Sequence, residues 1–371
     1  MEVFGLIIII SFFFFFCPQK YIMQYFIIAS LLLAALAFYY SPSQYEDLYY
    51  HYIMLDEFKT GGWSFILNTH WFERQPVFAI YVYFISLFPA NGFLPAISIF
   101  LTYLFPFILI YKIAIKYNVK KIYIVFSFLF ILCTMSYLGV MSGIRNMLAF
   151  SVFSYVLYVD LVEKKNKIVC FAIYIALCLL HTSVVTLVIF RLLLTIAKRK
   201  FFFIIIAIFS LLWPLFNIFI FKVLGLLKEL EFFMVLDEQV KGYIGGGTQY
   251  VFSTASIRLI SLVIILFCVI LSMYMSRNIR NYPDKYFRYI LLIIFFTAGG
   301  IFQYDIFVRM VCFLIFSSPF VLLTALSTGT KSINRDVTYL KMLLYVGLIF
   351  VLMVSLVFYT WSEYTKINFT F

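Results

Sequence analysis

The residues most able to do chemistry in this chain are a handful of ionisable groups set at the ends of long apolar runs. Arg145, in Ser142-Gly143-Ile144-Arg145-Asn146, opens an apolar segment. A helix N-terminus already favours anions, and a guanidinium there strengthens the positive potential. Arg309 follows Asp305 by one helical turn, so both side chains share a face. That spacing suits either a local ion pair or an anion-binding arginine oriented by Asp305. Arg74 and Arg258 stand at two further segment starts. Guanidinium stays charged and grips phosphate oxygens two at a time, so four such groups on one side of a membrane point to a phosphate-bearing ligand. His181, in Leu180-His181-Thr182-Ser183, lies between two apolar runs. Imidazole there is either a proton-exchanging group or a packed, hydrogen-bonded residue. Glu46-Asp47 and Glu73 supply carboxylates in a polar stretch. No Walker loop, GxGxxG, HExxH or GxSxG occurs, so nucleotide, zinc-hydrolase and serine-hydrolase chemistry have no support.

The elements that must position these groups are membrane helices. Of 371 residues, 65% are hydrophobic and 12% charged, too few charges for a water-soluble globule. Thirteen apolar runs are legible: 3–17, 21–40, 77–88, 93–115, 122–138, 147–161, 168–180, 184–197, 201–221, 258–275, 286–301, 306–326 and 340–361. They predict an all-α polytopic bundle of about twelve spans in a single transmembrane domain, 1–371. Run 3–17 has the length of a signal-peptide core but no basic n-region or small-residue cleavage site, and reads as a helix. Phe12 to Phe16 read as lipid contacts. The 48 phenylalanines and 29 tyrosines otherwise reflect lipid-facing composition rather than a sugar-stacking surface.

The net charge of +12 is topological: eighteen of the 28 basic residues fall at Lys20, 112–121, 164–167, 198–200, 277–288 and 331–341. These are short connections, as cytoplasmic loops should be, so nucleic acid is not the partner. Two longer polar stretches, 41–76 and 222–257, hold nine of the sixteen acids and read as outer loops. The second carries Val223, Leu226, Leu227 and Leu230 at helical spacing, an amphipathic segment before Gly245-Gly246-Gly247. Alternation fails only before Lys112, where one run must not cross; 77–88, twelve residues long, is the re-entrant candidate. The six cysteines lie in or beside apolar runs without CxxC spacing, which fits neither a disulfide framework nor a zinc site.

The order of these motifs resembles the EpsG/Wzy family of bacterial polysaccharide polymerases through most of the chain. Glu46-Asp47-Leu48-Tyr49-Tyr50 is similar to the family's Asp-x-x-Tyr, and Glu73-Arg74-Gln75-Pro76-Val77-Phe78 to its Glu-Pro-x-Phe, with Arg74-Gln75 inserted. Gly143-Ile144-Arg145-Asn146, His181-Thr182-Ser183 and the late Arg309 are further matches. The resemblance implies a multi-pass protein of the bacterial inner membrane with its active site facing the periplasm or exterior. The implied reaction moves a growing glycan from a polyprenyl diphosphate, undecaprenyl by expectation, onto a second lipid-linked repeat unit. Arg145 and Arg309 would hold the diphosphate, with Arg74 and Arg258 as helpers, and His181, Glu73 or Asp47 would take the proton. No metal or cofactor is implied. Membrane lipid, a chain-length regulator and a flippase are the implied partners. Three other classes fit less well: a flippase of lipid-linked sugars, which should show two related halves; an O-antigen ligase or a polyprenyl-phosphate-sugar glycosyltransferase, the latter favoured by paired acids such as Glu46-Asp47; and a purely structural subunit, which leaves the arginines unexplained.

Overall fold

The computed structural model describes residues 2–197, 199–216, 267, 269–271, 273–274, 284–327 and 335–362. Among these residues the chain is all-helical, without strands. Four apolar stretches are long enough to cross a bilayer: Gln19–Phe38, Phe93–Lys116, Ile144–Glu163 and Asp305–Ser327. At about 1.5 Å per residue each reaches the ~30 Å of a hydrocarbon core. Shorter apolar helices surround them, so the protein is a multi-pass helical bundle, while a total of twelve spans remains the sequence's expectation.

In chain order the helices are α1 (Glu2–Phe16), α2 (Ile22–Phe38), α3 (Asp47–Leu67), α4 (His70–Arg74), α5 (Pro76–Ser86), α6 (Phe93–Lys116), α7 (Lys121–Thr134), α8 (Tyr137–Ser142), α9 (Ile144–Tyr158), α10 (Lys167–Leu180), α11 (Ser183–Ile196), α12 (Lys200–Leu212), α13 (Asp284–Gly299), α14 (Tyr304–Ser327) and α15 (Arg335–Ser362). The amphipathic stretch 222–257 lies outside the described residues, as does Arg258.

The core is aromatic where four helices meet. Phe14 of α1, Phe26 of α2, Phe107 of α6 and Phe128 of α7 are fully buried, with Phe107 and Phe128 centroids 4.8 Å apart. Phe12, Phe13, Phe15 and Phe16 face outward, as a lipid-contact run should, but Phe14 does not. One helix cannot turn five consecutive side chains to lipid, since each residue rotates about 100°.

Among the described residues, basic side chains of the connections are tied to neighbouring helix ends. Lys112 pairs with Glu163 at 3.0 Å and Lys165 with the same carboxylate at 3.3 Å. Lys121 donates to the Phe15 carbonyl, and Arg288 to that of Ala197 at 3.1 Å.

The first polar stretch corrects one expectation. Residues 41–76, read as a polar loop, are mostly helix α3 and α4. Leu48, His51, Leu55 and Phe58, spaced three and four apart, form the buried face of α3. The acids between them obscured that periodicity. Helix α5 lies along α3 over its whole length: Phe78 is against His51, Tyr83 against Trp63, and beyond its C-terminus the Pro89 carbonyl accepts from Lys59 while Asn91 donates to Asp56. Both ends of this helix stay on α3, and at 11 residues it is shorter than a full crossing requires.

Candidate functional site

The site is built around a residue placed by proline chemistry. Thr69 caps α4, its hydroxyl accepting from the Phe72 amide at 3.3 Å. Pro76 disfavours helical geometry in the residue before it, so α4 ends and Gln75 takes φ −144°, ψ 67°. Pro76 then starts α5 at a position where its missing N–H costs nothing. Gln75, caught between the two helices, points inward and is buried.

Arg145 meets it there. Gly143 ends α8 so close to Gly139 that a Cβ would sit 2.9 Å from the Gly139 carbonyl, and the chain turns directly into α9. Arg145, in the first turn of α9, donates from Nη1 to Gln75 Oε1 at 2.9 Å. Its guanidinium lies over the rings of Trp71 at 5.5 Å and Phe78 at 5.3 Å, four residues before and three after Gln75. Two aromatic faces and a neutral amide thus hold the cation in place.

Two histidines share this field. His51 of α3 is 2% exposed, with its ring 5.1 Å from Phe78 and 6.5 Å from Trp71. Burial, then the Arg145 charge, push its pKa down to about 3. His181, between α10 and α11, is buried, and its Nδ1 accepts from the Ser183 amide at 3.1 Å. In the neutral ring that bond leaves the proton on Nε2. Burial, then Arg309, then Arg145 lower its pKa to about 3. The Arg145 charge thus acts on both histidines, and the Arg309 charge on His181. The arrangement offers cationic and neutral N–H donors to an anion.

Other sequence candidates fall at its margin. Glu73 and Arg74 of α4 and Asp47, in the first turn of α3, are exposed. Asp305 is exposed one turn before the half-buried Arg309. Glu46 is occupied locally: its carboxylate accepts from the Tyr40 hydroxyl and, at 2.9 Å, from the Ser43 hydroxyl.

Four residues at the centre were missed from sequence: Gln75, Trp71, Phe78 and His51. Gln75 stood in the two-residue insertion relative to the motif, yet its place before a proline was the available signal. His51 carried one too, since it belongs to the i, i+3, i+4 face of α3.

No curated protein and no solved structure matches the chain. The EpsG family model matches residues 22–369, from the start of α2 to within two residues of the C-terminus, and covers every residue placed in the site. The chain belongs to the EpsG family.

Proposed function

We propose that this protein is a polysaccharide polymerase of the bacterial inner membrane, extending a glycan on a lipid carrier at the face opposite the basic loops. The observation that supports the reading is that the Arg145 and Arg309 charges both act on the buried His181 imidazole, while the acids of the same motifs are exposed. A lipid diphosphate, the leaving group of glycosyl transfer, needs fixed positive and N–H donors that strengthen as charge develops on it. Arg145 and Arg309 bind its oxygens, and His181 donates from Nε2 rather than taking a proton. Arg74 and Arg258 are the helpers at the rim. The donor and the acceptor are both polyprenyl-diphosphate-linked oligosaccharides, undecaprenyl by expectation, and a chain-length regulator and a flippase are the accompanying proteins. The outer hydroxyl of the acceptor sugar attacks the anomeric carbon of the donor, and the bond to diphosphate breaks with its electron pair.

The test is deletion of the gene in its native host, complemented with wild type or Arg145→Ala, with surface polysaccharide resolved on a ladder gel and membrane abundance matched. Polymerisation predicts a single repeat unit in the deletion strain and in Arg145→Ala, against a full ladder in wild type. Loss of even the single unit on deletion places the protein earlier, as a flippase or assembly glycosyltransferase, and overturns the reading.

A further inference from the structure

Glycosyl transfer to a hydroxyl also needs an acceptor for that hydroxyl's proton, and the candidates taken from sequence do not supply an open one inside the site. His181 Nδ1 is engaged by the Ser183 amide at 3.1 Å, so its neutral ring offers a donor. Asp47 and Glu73 are exposed, on α3 and α4. His51 differs from all three. It is 2% exposed, it shares the Trp71 and Phe78 rings with the Arg145 guanidinium, and its Nδ1 is buried without a hydrogen-bond partner. A buried, unsatisfied ring nitrogen is costly and calls for an explanation.

Resting on the polymerase reading above, we propose that His51 is a further catalytic residue, the general base that takes the acceptor hydroxyl's proton on Nδ1 while Arg145 holds the diphosphate leaving group. The step balances without a co-reactant. The acceptor O–H bond breaks, its oxygen forms the new glycosidic bond, the anomeric C–O bond to diphosphate breaks, and the proton on His51 passes to the departing diphosphate or to solvent.

Charge supports the assignment. Arg145 is the charged group whose field acts on His51; α5 and α8, which pack on α3, carry no charged residue, and Asp47, Glu73 and Arg74 are exposed. Burial and Arg145 hold the imidazole neutral, which is the form a base requires. An anionic diphosphate placed on Arg145 opposes that positive field and raises the proton affinity of His51 when both substrates are present. Donor binding thereby switches the base on.

The experiment uses full-length protein in lipid nanodiscs, with membranes of the deletion strain as the source of its own lipid-linked single units, and follows ladder growth against pH. Geranylgeranyl diphosphate serves as the probe for diphosphate binding. His51→Gln is expected to slow growth about 10²- to 10⁴-fold, the usual worth of a general base, while binding the probe within about threefold of wild type, since Arg145 is untouched. Wild type should lose rate at low pH, with the acid limb of kcat at higher pH than that of kcat/KM, and His51→Gln should lose the limb. His51→Ala should regain rate with added imidazole. Retained ladder growth in His51→Gln overturns the proposal. So does loss of probe binding in that variant, which makes His51 a support for the Arg145 pocket. Should neither variant accumulate, a wild-type profile with no acid limb overturns it alone. If Arg145→Ala polymerises normally, the polymerase site itself fails, a separate result.

Discussion

At the scale of single residues, the contact between Gln75 and Arg145 is the sharpest feature of the site. A neutral amide orients the guanidinium without cancelling its charge, as a carboxylate would. Hydrogen bonds to charged groups are worth about 1.5–3 kcal/mol. Gln75→Ala should therefore weaken binding of a polyprenyl diphosphate by about 10- to 100-fold, measured by titration in nanodiscs. Gln75→Glu keeps the shape but supplies a fixed anion 2.9 Å from Nη1, where the wild-type amide oxygen accepts. It should fold as well as wild type and bind diphosphate worse than Gln75→Ala, because the new carboxylate competes for Arg145. Tighter binding by Gln75→Glu than by Gln75→Ala would remove Arg145 from the anion site. The sequence made Arg145, Arg309 and His181 visible because charge is rare in apolar runs. Gln75 is uncharged, and its role depends on a neighbour seventy positions away, so composition and spacing were silent about it.

The elements explain why the site is where it is. Apolar run length gave α2, α6, α9 and α14 within a few residues, since a bilayer sets a minimum length that little else in a protein imitates. The same rule misread residues 41–76, where α3 lies outside the apolar runs and alternates acids with buried Leu48, Leu55 and Phe58. Run 122–138 also overran the end of α7 by four residues, into α8, where Met135 in extended geometry and the Ser136 cap separate the two. Positioning of α3 to α5 depends on the way α2 returns to α6. Phe38 and Phe93 pack at 5.0 Å, and a Cβ on Gly92 would lie 2.2 Å from the Phe38 carbonyl oxygen. Gly92→Ala must push two backbones apart, at about 1–3 kcal/mol for overpacking. Gly62, at the kink of α3, has φ +69° and ψ −171°, a region nearly confined to glycine, with open space beside it, so Gly62→Ala meets backbone strain of about 1–3 kcal/mol but no clash. Gly92→Ala should lower both the thermal midpoint in detergent and ladder growth per folded molecule, because it moves the segment carrying Gln75. Gly62→Ala should leave ladder growth near wild type. Equal effects on activity would detach the α2–α6 approach from the site.

Across the whole molecule, the proposed binding end is separate from a charged pair locked in the interior. The interior lock is Asp160 with Arg191, bonded at 2.6 and 3.1 Å and both under a tenth exposed. The Tyr174 hydroxyl donates to the same carboxylate at 3.3 Å, and Phe171 underlies the guanidinium at 5.3 Å. The carboxylate stands on the π-helical turn Val159–Glu163 that follows α9, and its partners come from α10 and α11. Three consecutive elements are thus fixed at one point, on the side of α9 away from Arg145. Neither residue was marked from sequence, because Asp160 looked like a segment end and Arg191 like an isolated interruption of an apolar run. Removing one partner leaves a buried charge uncompensated, at about 3–5 kcal/mol, whereas replacing both with apolar residues of similar volume is close to neutral. Arg191→Leu should therefore sharply lower the thermal midpoint and membrane abundance, and Asp160→Leu with Arg191→Leu should recover most of both. The double variant should form a normal ladder once abundance is matched, since the pair lies outside the diphosphate site. If the double variant folds but fails to polymerise, the pair takes part in the reaction and the division between binding end and locked interior is wrong. A double variant as unstable as Arg191→Leu would instead show that α9, α10 and α11 require the ion pair itself, beyond the avoidance of a lone buried charge.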